Sequence, residues 1–122
     1  MSMAVLIIED EAMIARLVAD FLEDLGHQVH GMAASVEEAL AVLAPDKPKP
    51  DVAILDLNLG GEPADPVAHR LREVEIPFLI ATGYGEDRLD RSGLHEPAIY
   101  KPYSQAALGR ALADLNSRSP AA

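Results

Sequence analysis

Cysteine is missing from all 122 residues, which excludes disulfides, thiolate nucleophiles and cysteine-held metals. Bases are scarce beside acids: 10 Lys and Arg against 20 Asp and Glu leave a formal net charge of −10. Phosphate backbones need a basic patch, so this balance argues against nucleic-acid binding. It favours cations or basic partners instead. Long apolar runs are also absent, and none approaches the ~20 residues of a membrane span. Met1-Ser2-Met3 carries neither the basic start nor the cleavage site of a signal peptide, so the expected location is the cytoplasm. The length suits one domain across residues 1–122, with a core over about 3–116 and a frayed tail over 117–122.

Short apolar runs alternate with segments of helical spacing. Met3–Ile8 is apolar throughout and Asp51–Leu55 is apolar inside, after Asp51, as strands buried on both faces are. Ile76–Thr82 and Pro97–Lys101 read as further strands, and Gln28–Ala33 as a weaker one. Between them, Ile14, Leu17, Val18, Phe21, Leu22 and Leu25 recur along one helical stripe, opposite Arg16, Asp20 and Glu23. Gly26 suits the left-handed position that ends this helix. Ser35 and Glu38 have the spacing of a capping box. Asp56–Glu62 reads as a loop, Asp65 as an N-cap and Pro66 as the first helical residue. Val67, Leu71 and Val74 mark that helix's inner face. Glu86–Ser92 holds at most a marginal helix before Gly93. A last helix is expected over Ser104–Leu115, with Leu108, Ala111, Leu112 and Leu115 inward. The pattern is (βα)₅, an α/β fold with a doubly wound five-stranded parallel sheet.

Four of these strands end on residues that serve one chemistry. The first runs into Glu9, Asp10 and Glu11, the third into Asp56, the fourth into Thr82 and the fifth into Lys101. Open α/β sheets bind ligands just outside the carboxyl ends of their strands. Glu9, Asp10 and Asp56 gathered there repel one another, and a divalent cation removes the conflict. Mg²⁺ fits, because it takes a few carboxylates, several waters and phosphate oxygens. Asp56 is placed to act as a carboxylate nucleophile toward phosphorus. Lys101 supplies fixed positive charge for phosphoryl oxygens, and Thr82 a hydroxyl. Asn58 is placed to offer its backbone carbonyl to the metal. Glu11 does no more than complement a helix dipole.

Ile7-Ile8-Glu9-Asp10-Glu11, Ile54-Leu55-Asp56-Leu57-Asn58, Ala81-Thr82-Gly83-Tyr84 and Tyr100-Lys101-Pro102-Tyr103 together resemble the signature blocks of the receiver domain of two-component response regulators. The resemblance runs from about Ala4 to Leu115. It implies the flavodoxin-like strand order 2-1-3-4-5. It implies that Asp56 takes a phosphoryl group from a phosphohistidine of a sensor histidine kinase or phosphotransfer protein. Mg²⁺ is then held by Asp10, Asp56 and the Asn58 carbonyl, with Glu9 nearby or acting through water, while Thr82 and Lys101 bind the phosphoryl group. A Lys101-Pro102 cis peptide is a further implication. The state would pass to a separate downstream protein or along a phosphorelay. A monomer is the default.

The chain departs from the family pattern in places. Ala98 stands where receivers usually carry a switch aromatic, leaving Tyr84, Tyr100 and Tyr103 as candidates for that role. Gly60-Gly61 replaces a common proline. Phe78 to Tyr84 is similar to an atypical Phe-Ala-Thr-Gly subgroup found mainly as single-domain regulators. Two other functions compete. A phosphatase of the haloacid dehalogenase type shares the nucleophile, threonine, lysine and Mg²⁺, but needs an acid where Asn58 stands. A receiver fold can also serve as a phosphorylation-independent docking module. Ile14, Ala15 and Val18 on the first helix are candidate docking residues, and the same positions also read as core. His27, His30, His69 and His95 have no metal-pair spacing and read as solvated loop or surface residues.

Overall fold

The computed structural model describes residues 2–83, 96–101 and 103–117. The expected helix over Glu86–Ser92, Tyr84, His95, the Lys101-Pro102 peptide and residues 118–122 lie outside them. The elements run β1 (Ala4–Ile8), α1 (Ala12–Asp24), β2 (Gln28–Ala33), α2 (Val36–Val42), β3 (Val52–Asp56), β4 (Asn58–Leu59), β5 (Glu62–Pro63), α3 (Asp65–Glu73), β6 (Phe78–Thr82), β7 (Ala98–Tyr100) and α4 (Gln105–Ser117). Five strands form one sheet in the order β2-β1-β3-β6-β7, every pair parallel. Counting only those five, the order is the expected 2-1-3-4-5. No helix among the described residues is long and apolar enough to cross a membrane.

Strand alternation sends successive side chains to opposite faces of the sheet. Leu6 and Ile8 of β1 join Leu55, Ile80, Val67 and Leu71 in one core, beneath α2 and α3. Val5 and Ile7 join Ile54, Val18, Leu22, Leu108 and Leu112 in the other, beneath α1 and α4. Both faces being covered is why the central strands carry no polar residue before their last position.

The helix ends follow the sequence closely. Gly26 takes φ of 88°, and the amides of Gly26 and His27 donate to the carbonyls of Glu23 and Leu22, closing α1 with a Schellman turn. The Ser35 hydroxyl accepts the Glu38 amide at 3.1 Å. Glu38 reaches back to the amide of Ala34 at 2.9 Å, one residue earlier than a standard capping box.

Several expectations need correction. Leu17 does not face the core; it is 49% exposed, and Met13 beside it is 87% exposed. Ala15 and Ala19 are buried instead, beside Val18 and Leu22. The N-cap of α3 is Ala64, with Asp65 already in the first turn and Pro66 following. α4 runs on through Asn116 and Ser117, past the expected helix end at Leu115 and one residue into the expected tail. His27 is half-buried, and its Nδ1 accepts the Met3 amide at 3.2 Å; burial lowers its pKa. His30 lies in β2 and His69 is exposed on α3.

The loop after Asp56 contains a small antiparallel hairpin, Asn58 opposite Pro63 and Leu59 opposite Glu62. Gly60 and Gly61 form its two-residue turn with φ of 61° and 90°. Two positive φ values are the mark of a type I′ turn, which glycine adopts without a Cβ penalty. Leu57 and Leu59 are buried and pin the hairpin to the core.

Glu75, just past α3, takes φ of 60°, and the amides of Glu75 and Ile76 donate to Arg72 and Leu71. It occupies the left-handed position that glycine normally fills. Glu75→Gly is expected to stabilise the fold by about 0.5–1 kcal/mol, the relief of left-handed strain less the added unfolded-state entropy. Urea denaturation checks this. No gain would mean that the turn holds no strain.

Candidate functional site

Strand register assembles the site. Ile8 pairs with Leu55, so Glu9 and Asp56 leave adjacent strands side by side. Asp56 pairs with Ala81, which puts Thr82 one step beyond, and Thr82 pairs with Tyr100, which puts Lys101 one step further. The Glu9 amide donates to Ala33 at 2.9 Å and the Lys101 amide to the Thr82 carbonyl at 2.8 Å. Glu9 and Lys101 are thus held by backbone hydrogen bonds just past their strands, while Asp56 and Thr82 are the last residues of theirs.

The side chains converge. Lys101 Nζ donates to Glu9 Oε1 at 2.8 Å and to Asp56 Oδ2 at 3.1 Å. One carboxylate oxygen each from Glu9, Asp10 and Asp56 lie within 4.8 Å of one another. Glu9 and Asp56 are 6% and 7% exposed, Thr82 1%, while Asp10 faces solvent. Glu9 Oε2 also accepts the Glu11 amide at 3.2 Å, closing the start of α1. Glu11 is the N-cap residue of that helix and makes no side-chain cap bond. Asn58 lies in β4, two residues past Asp56.

Burial disfavours charge at this point, and Lys101 restores part of the balance. The Glu9 carboxyl is raised from 4.5 to about 7, foremost by burial; the bond from Lys101 works against that rise and the neighbouring Asp56 adds to it. Burial also works against the Lys101 ammonium, but its bonds and attraction to Glu9 and Asp56 outweigh this, and its pKa is raised. Among the described residues, three acids here meet one lysine, Lys101. Converging carboxylate oxygens with one member open to solvent are the donor set that suits a small hard cation such as Mg²⁺, which keeps several waters.

One participant, Gly60, was not legible in the sequence, and Tyr103 was legible only as a candidate aromatic. The Gly60 amide donates to Asp10 Oδ2 at 3.1 Å, across 50 residues. Tyr103 is half-buried, and burial raises its phenol to about 12, with Lys101 lowering it and the Glu9 and Asp56 carboxylates raising it. Its position two residues after Lys101 was the available signal. Ala98 is half-buried against the α2–α3 core, so that position holds a packed methyl group where receivers carry an aromatic.

A five-stranded parallel α/β sheet with this acid and lysine constellation at its carboxyl edge is the arrangement of a signal-receiver domain. Residues 5–113 match the response regulator receiver domain, and the chain belongs to that family. It is 36% identical over 110 residues to the phyllosphere-induced regulator PhyR of Methylorubrum extorquens, covering 87% of this chain and 40% of that protein. The chain thus spans less than half the length of the curated relatives it matches. Among solved structures it resembles SdrG from Sphingomonas melonis Fr1, with 41% identity, a TM-score of 0.76, and 93% and 95% of the two chains covered. The receiver domain of Erythrobacter litoralis PhyR superposes with a TM-score of 0.84 at 28% identity, covering 99% of this chain and 95% of that one.

Proposed function

We propose that this domain accepts a phosphoryl group on Asp56 from a phosphohistidine of a sensor kinase or phosphotransfer protein, in a Mg²⁺-dependent step, and passes the resulting state to a downstream protein. The observation that carries the reading is the bridge from Lys101 Nζ to both Glu9 and Asp56, beside Asp10. A carboxylate nucleophile held by an ammonium and flanked by further acids is poorly explained as fold stabilisation. Replacing such buried pairs with apolar residues is often neutral or stabilising.

Asp56 carries out the transfer as nucleophile. A carboxylate oxygen of Asp56 forms a bond to phosphorus as the phosphorus–nitrogen bond to the donor imidazole breaks, and that nitrogen leaves with the electron pair and takes up a proton. Lys101 gives up part of its contact with Asp56 to meet the equatorial phosphoryl oxygens, where charge has to be neutralised. Thr82, at the neighbouring strand end, supplies a hydroxyl to the same group. Asp10, Asp56 and the Asn58 carbonyl, with Glu9 close by, would hold Mg²⁺, which shields the acids from the incoming anion. The product is an acyl phosphate, so hydrolysis returns Asp56.

Transfer from a radiolabelled phosphohistidine donor tests this. Label is expected to move to the wild-type domain in Mg²⁺, and not to Asp56→Asn or in the presence of chelator. Labelling of Asp56→Asn at the wild-type rate would refute the assignment. Binding of a partner that is indifferent both to Asp56→Asn and to Mg²⁺ would point to a docking module instead.

A further inference from the structure

Asp10 is the exposed member of the acid cluster, so Glu9 and Asp56 repel it toward open water. What opposes that repulsion is the turn of the hairpin that follows Asp56. The Gly60 amide donates to Asp10 Oδ2 at 3.1 Å. That amide is in place because Gly60 and Gly61 both accept positive φ, and because the hairpin is fixed at its base. The Leu57 amide donates to Ala81 at 3.3 Å, the Ala64 amide donates to Leu57 at 3.2 Å, and Leu57 and Leu59 are buried.

We infer that the Gly60-Gly61 hairpin turn is a positioning element for Asp10, its Gly60 amide presenting that carboxylate beside Asp56 for a divalent cation. This rests on the reading of the site given above. A carboxylate ligand is most effective when a second group fixes its orientation, and losing such a partner typically costs about 10- to 100-fold in metal affinity. Here the partner is a backbone amide, so the side chains at 60 and 61 matter only through the conformation they permit.

Gly61→Val tests it, with Gly26→Val as a matched control. Both glycines have nearly the same left-handed φ, 90° and 88°, with no atom within 4 Å of an added Cβ. A β-branched residue is strained in either place, but only the first belongs to the turn. Mg²⁺ affinity is measured by calorimetry beside thermal unfolding of the same samples. Gly61→Val is expected to bind Mg²⁺ about tenfold more weakly. Gly26→Val should keep wild-type affinity while losing comparable thermal stability. Equal Mg²⁺ affinity in folded Gly61→Val and wild type would overturn the inference and leave the functional reading standing. Failure of the wild type to bind Mg²⁺ would remove both.

An independent arm uses no turn variant, so it decides the matter even if Gly61→Val does not fold. In metal-free Asp10→Asn, the Gly60 amide proton is expected to move upfield and exchange faster, as a charged acceptor is replaced by a neutral one. An unmoved Gly60 resonance would equally overturn the inference.

Discussion

Lys101→Ala is expected to slow phosphoryl uptake by about 100- to 1,000-fold, the range seen when a fixed group that stabilises transition-state charge is removed. Lys101 bonds to both inner acids, at 2.8 Å to Glu9 and 3.1 Å to Asp56. Its loss acts twice. The developing charge on the phosphoryl oxygens loses its ammonium, and two nearly buried carboxylates lose the group that bridges them. Lys101→Arg should recover only part of the rate, since a planar guanidinium does not fill the place of a point charge between two acids. Rapid-mixing measurement of phosphoryl uptake from a small donor checks both. An alanine variant within threefold of wild type would show that Lys101 is structural.

Glu9 should make the metal-free domain less stable as the solution becomes neutral. Its carboxyl is raised from 4.5 to about 7 in the folded chain, first by burial. Between those values the folded state holds a proton that the unfolded state has lost, so stability falls as pH rises through the window and levels off above it. Below about 4.5 both states are protonated and the contribution is constant. Glu9→Gln removes this component while leaving an oxygen for Lys101. Denaturant unfolding at pH 5 and pH 7.5 is therefore expected to show a gain for Glu9→Gln over wild type that is larger at pH 7.5. His27 acts in the opposite sense, because its lowered pKa favours the neutral ring and costs stability as pH falls. Comparing the two proteins at each pH cancels the His27 contribution. A gain that is equal or larger at pH 5 would contradict the assigned shift.

The fold was legible because parallel strands covered on both faces must be apolar along their length, as Leu6 to Ile8 and Ala53 to Leu55 are. The site was legible for a related reason. A polar residue that ends such a run, as Asp56, Thr82 and Lys101 do, sits at the sheet's edge whatever the loops do. Reading failed where a loop conformation or a packing distance decides. Leu17 fits a helical stripe, yet the rotation of α1 on the sheet turns Ala15 and Ala19 to the interior with Val18 and Leu22. Gly60-Gly61 was noted as a missing proline, although two glycines flanked by Leu59 and Glu62 are also a hairpin signal. The Asp10–Gly60 bond could not be read at all, since it depends on where that turn folds relative to β1.

The central claim is that Asp56 takes a phosphoryl group with the help of a divalent cation. Wild type and Asp56→Asn, incubated with acetyl phosphate and Mg²⁺ and weighed intact, test it most directly. The account predicts a gain of one phosphoryl group in wild type alone, abolished by chelator. An equal gain in Asp56→Asn, or one indifferent to chelator, would contradict it.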